Sequence, residues 1–193
     1  MSRPLGVIED IDQVRRIPIG RFWGIRLTVT PIAWLGPIIF FGLGFGVTLL
    51  TRPELSLAER VSTNVLSALA VELGILAHAF GHILSGKLIG SAMDELLMAT
   101  TRDINLYYGD QSGYPSRVHI VRSLGGPVFN LVLLVVLAAL YPTMTDSPAR
   151  ELVGYLVSVN TVLGVGSFLP IPSVDGEVIW REVIKSLAKR ASA

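Results

Sequence analysis

The sequence contains no cysteine. Disulfides are excluded, and so are thiolate metal ligands, which leaves imidazole and carboxylate as the available donors for any metal. Charge is scarce as well. Charged residues make up 16% of the chain against 51% hydrophobic, and the mean hydropathy is +0.58, proportions that belong to the membrane class. A net charge of +1 leaves no electrostatic footprint for nucleic acid. The first ten residues lack the apolar core of a signal peptide, so membrane insertion is expected from internal segments. No internal repeat or low-complexity tract is present, and 193 residues predict a single membrane-embedded domain, 1–193.

What the chain does have is long runs without charge. They fall at about 31–50, 61–89, 118–141 and 152–169. About 20 helical residues cross a hydrocarbon core of about 30 Å, so each run is read as a span. Residues 1–16 are polar and read as a cytosolic tail. Residues 17–31, rich in β-branched and aromatic side chains, read as a short strand pair. The stretch 91–116 is too polar to cross, and holds strand-like segments at 96–101 and 104–108. Gly125-Gly126-Pro127 sits near the start of the third span, where a first turn or a kink accommodates proline. Residues 177–190 read as a C-terminal interfacial helix. The predicted fold class is an all-α polytopic membrane protein with four transmembrane helices. A small β segment is expected near the N-terminus and another between helices two and three.

Lysine and arginine are distributed unevenly about these spans. Arg52, Arg60 and Arg150 fall on one side, and every other cation on the opposite side. The positive-inside rule then makes this an integral, multi-pass protein with both termini cytosolic, its partners being the lipid bilayer and other membrane proteins.

His78 and His82 are four residues apart in the second span, hence on one face of a helix and able to share an ion. In H-E-x-x-H metal helices a glutamate follows the first histidine as general base; here the residue is Ala79. Pro170-Ile171-Pro172 breaks the fourth span on the same side, and Asp175-Gly176 follows. Irregular backbone at that depth must be buried in protein or line a wet cavity. Two imidazoles and one carboxylate would make a three-ligand zinc site with one position open. Two plainer readings stand beside it. The histidines could hydrogen-bond neighbouring helices, or ligate a tetrapyrrole, and Asp175 could cap the helix after it. Glu72 shares the helical face of Ala79 but lies about 10.5 Å along the axis, so it is read as a buried polar group needing its own partner. Asn130 and Asn160 are further polar candidates within spans three and four. Tyr107, Tyr108 and Tyr114 are read as aromatic-belt residues at the headgroup level.

Several of these stretches together resemble the site-2 protease family of intramembrane zinc metalloproteases. His78-Ala-Phe-Gly-His82 is similar to its H-E-x-G-H helix. Leu169-Pro-Ile-Pro-Ser-Val-Asp175-Gly176 is similar to its N-L-L-P-x-P-P-L-D-G segment, and Gly126-Pro127-Val-Phe-Asn130 to its G-P-x-x-N span. The resemblance implies that His78, His82 and Asp175 are zinc ligands. The chain departs from the pattern at Ala79 for the catalytic glutamate, Ser167 for asparagine, Ser173 for proline and Glu177 for glycine. Loss of positioned acid–base catalysis costs about 10²- to 10⁴-fold. The reading that follows is a proteolytically inactive relative, acting as a non-catalytic binding or structural subunit of a membrane complex. Two alternatives stand beside it. One is an active intramembrane zinc metalloprotease whose glutamate was changed to Ala79 by design. The other is a pigment- or haem-binding subunit.

Overall fold

A computed structural model describes residues 14–191, so nearly all of the expected tail 1–16 lies outside the described residues. Those described form five helices and one small sheet. β1 (Ile17–Phe22) and β2 (Ile25–Val29) make a hairpin that turns at Trp23 and Gly24. Both turn residues have positive φ, 50° and 81°, as the tight turns that match strand twist require. Glycine adopts this freely. Trp23 does so while stacked on Phe22 at 5.1 Å and packed against Phe80 at 6.0 Å.

β2 pairs in parallel with β3 (Glu95–Met98), which pairs antiparallel with β4 (Asp103–Leu106). The two β segments expected separately are thus one four-stranded sheet, in chain order. Parallel pairing demands a long crossover. Here α1 (Leu35–Thr51) and α2 (Leu57–Leu88) supply it. A buried carboxylate pins the sheet: Glu95 accepts hydrogen bonds from the Thr28 and Tyr108 hydroxyls, both at 2.6 Å, beside Arg16 and Arg26. Burial opposes its charge, but these hydroxyls and guanidinium groups win and hold its pKa below the usual carboxylate range.

The helix limits differ from expectation for local reasons. α2 starts at Leu57 instead of about 61, because Ser56 and Glu59 cap its first turn reciprocally: Ser56 N–H donates to Glu59 Oε2 at 2.9 Å and Glu59 N–H to Ser56 Oγ at 3.3 Å. α3 spans Ser116–Leu140 and continues into a 3₁₀ turn, Tyr141–Thr143. Pro127 therefore sits about three turns inside α3, not in its first turn. α4 (Pro148–Gly166) begins after a Ser147 cap with proline in its first turn, and ends before the expected 169. α5 (Asp175–Ala191) begins on the aspartate itself. α2, and α3 together with its 3₁₀ turn, are long and apolar enough to cross a membrane; α1 is apolar but shorter.

The sheet lies on α2, where Ile25, Met93 and Leu96 form a buried cluster with Ala79 and Ile83. On the other side α2 meets α3 almost backbone to backbone. A Cβ on Gly81 would come within 2.7 Å of Phe129 Cβ and 2.8 Å of the Gly125 carbonyl carbon, and nearer still to its oxygen. Small residues at helix contacts allow this approach inside a bilayer. Gly81→Ala is expected to force the two helices apart and cost about 1–3 kcal/mol. A lowered thermal midpoint in detergent, with helix content unchanged at low temperature, is the measurement.

Candidate metal centre

The close α2–α3 contact places both imidazoles against α3. His82 Nδ1–H donates to the backbone carbonyl of Arg122 at 2.7 Å, and His78 Nδ1 lies 2.6 Å from Asn130 Oδ1. The amide of Asn130 can be oriented without ambiguity. Its Nδ2 faces two acceptors, the Gly74 carbonyl at 3.3 Å and Asn160 Oδ1 at 2.7 Å, so its oxygen is the atom turned to His78. Both histidines therefore carry their proton on Nδ1, which leaves the two Nε2 atoms to face the same small space.

Asp175 closes that space from the start of α5. Its Oδ2 is 2.9 Å from His78 Nε2 and its Oδ1 3.3 Å from His82 Nε2. A carboxylate cannot donate, and neither Nε2 has a proton to give while neutral. The donor set is thus complementary to a cation between the three groups. The two imidazole–carboxylate separations, 2.9 and 3.3 Å, are near the roughly 3.3 Å between neighbouring donors on tetrahedral arms of about 2.0–2.1 Å. Gly126 supplies the room. A Cβ there would lie 2.5 Å from His82 Nε2 and closer still to His78 Nε2, in the space that an ion needs.

The three groups open onto a cavity of about 1020 Å³. Ala79, residues 101–105 along β4, and Ser158, Val159, Val162 and Leu163 of α4 form its walls. β4 is the edge strand of the sheet, so its unpaired side is open to pairing. Asp103 of β4 lines the cavity with Oδ2 buried and without a hydrogen-bond partner among the described residues. Burial, and then the nearby Glu72 carboxylate, push it up to about 7.

No family model and no curated protein matches the sequence. A solved structure does resemble the fold: the site-2 protease from Methanocaldococcus jannaschii, at a TM-score of 0.63 and 16% identity. The likeness covers 89% of this chain and 73% of that one. This chain has a site-2 protease-like fold. Two of its helices, among the described residues, are long and apolar enough to cross a membrane.

Within the site-2 protease-like fold the candidate residues fall into distinct places. His78, His82 and Asp175 meet; Asn130 backs His78, and Asn160 backs Asn130. Gly176 packs on the turn before α5, where a Cβ would meet the Phe168 carbonyl at 2.6 Å. Pro172 lines the cavity and Pro170 is exposed outside it. Glu72 stands apart, its Oε1 buried without a hydrogen-bond partner among the described residues. Asp175 opens α5 with its carboxylate turned to the imidazoles. Glu177 Oε2 accepts from Ser173 N–H at 2.9 Å, in the turn that leads into the helix. Tyr107 and Tyr114 flank the Arg122 guanidinium at 4.1 and 4.9 Å. Sequence reasoning missed Gly126 and the Arg122 carbonyl. The glycine pair before Pro127 was a signal for the first; a backbone carbonyl gives none.

Gly126→Ala is expected to displace both imidazoles without removing a ligand, and to weaken zinc uptake at least about 100-fold, beyond what loss of one outer partner usually costs. Competition against a chelator measures it. Asp103→Asn separates a second effect. A carboxyl whose pKa is raised on folding stabilises least when ionised, so D103N should melt above the wild type at pH 8. The gap should close as pH falls from about 7, the folded value, toward about 4, the ordinary one. Melting curves across pH check it.

Proposed function

We propose that this is a four-span membrane protein with cytosolic termini that holds zinc at His78, His82 and Asp175 and binds a membrane polypeptide without hydrolysing it. The observation that carries the reading is Ala79. Its methyl lies at the cavity wall beside the trio and is packed into the buried cluster under the sheet. A zinc ion supplies Lewis acidity to a bound carbonyl oxygen; the chain's own groups hold the ligand geometry and exclude solvent. The position after His78, where the general base would stand, carries no carboxylate. Glu177 is committed to Ser173 N–H and to Arg181 at 3.8 Å. Asp103 lines the cavity from β4 but is not one of the three clustered groups, and Glu72 lies about 9 Å along α2 from His78.

The β4 edge along the cavity supports an extended polypeptide as the occupant, paired through main-chain hydrogen bonds. That occupant could belong to a partner subunit of a membrane complex. The tetrapyrrole reading has less support, because the space before both Nε2 atoms is bounded by Asp175 and Gly126 at contact distance.

The test is a transmembrane peptide presented to the reconstituted protein with and without zinc. The expected result is saturable capture with no cleavage, and Ala79→Glu gaining at least about 10²-fold in cleavage if the remaining machinery is intact. Zinc-dependent cleavage by the Ala79 protein itself overturns the proposal.

A further inference from the structure

The polar chain behind His78 does not stop at Asn130. It ends on α4, at a residue that touches neither an imidazole nor the cavity. Asn160 is 1% exposed and Asn130 is fully buried. Asn160 Nδ2 donates to the Leu156 carbonyl at 2.8 Å, and a backbone carbonyl can only accept. Asn160 must therefore present its oxygen to Asn130, whose Nδ2 donates to it at 2.7 Å. That in turn obliges Asn130 to turn its own oxygen to His78 Nδ1 at 2.6 Å. One fixed carbonyl on α4 thus decides, through two amides, which nitrogen of His78 bears the proton.

We infer that Asn160 is a positioning residue: it sets the His78 tautomer through Asn130 and so makes Nε2 available as a ligand. This rests on the metal reading above. Without Asn160 the Asn130 amide would be held only by the Gly74 carbonyl at 3.3 Å. Turned over, Asn130 offers a donor to His78 Nδ1, the proton moves to Nε2, and the lone pair needed between His78 and Asp175 is lost. Buried polar networks act in this all-or-none way because an unmatched donor has no water to turn to.

The experiment uses the full chain in nanodiscs. Asn160→Leu, close in size but without an acceptor, is expected to weaken zinc affinity about 10- to 100-fold, the usual effect of losing an outer partner of a ligand. Asn160→Asp keeps an oxygen in the same place and should bind near the wild-type level. Asn130→Leu should lose as much as N160L, and the double variant no more than either, since both act through one bond. Equal affinities for N160L and wild type, or additive losses in the double variant, overturn the inference. A second readout does not depend on zinc. Imidazole nitrogen resonances of the metal-free protein should show His78 with a protonated Nδ1 in wild type and N160D, and an unprotonated fraction in N160L. A wild-type protein that takes up no zinc but shows this pattern defeats the metal reading and leaves the relay standing. An unprotonated Nδ1 in wild type defeats the relay, even if N160L does not fold.

Discussion

Everything at the centre depends on α2 and α3 meeting with no side chain between them. Gly81 and Gly125 put the two backbones in contact, and Gly126, one residue on, faces the imidazoles. Only at that separation does the Arg122 carbonyl reach His82 at 2.7 Å and the short Asn130 side chain reach His78. Inside a bilayer no hydrophobic force drives such a contact, so packing and interhelical hydrogen bonds must hold it. The aromatic rings reinforce it. Phe80, one residue before Gly81, lies 5.2 Å from Phe129 on one side and 6.0 Å from Trp23 on the other, joining hairpin, α2 and α3.

The departures from the site-2 protease pattern are not independent of one another. Ser173 has a backbone N–H, which the proline of the pattern lacks, and it is given to Glu177, whose carboxylate the glycine of the pattern lacks. The φ of +67° at Ser173 is also closed to proline, whose ring fixes φ near −65°. Two changes that look like separate decay in a string of letters form one brace around Asp175. The turn that carries the carboxylate is thus held by a hydrogen bond in place of ring rigidity. Ala79 stands outside this exchange, since the Ser173–Glu177 bond does not supply the carboxylate it lacks.

Much of this was legible beforehand for physical reasons. Histidines at i, i+4 on an apolar run share a helix face whatever surrounds them, and a Pro-x-Pro break must end a span. Helix starts were less legible, because Ser56 with Glu59 and Ser147 with Pro148 extend helices into stretches that look like polar loops. The pairing of β2 with β3 was not legible: two helices separate them, and strands of five and four residues carry too little pattern to name a partner. Backbone groups such as the Arg122 and Leu156 carbonyls have no letter of their own. The histidine partners on that side emerge only once the helices are packed.

The methyl at position 79 also changes the kinetics this pocket can show. In a centre with a proton acceptor, a bound chain disappears by reaction, and turnover sets the clock. Under the proposed reading departure is the only exit, so residence time would follow the off-rate alone and occupancy the concentration of whatever enters. The fold would then have the time course of a receptor, with the proposed β4 pairing tuning how long a visitor stays.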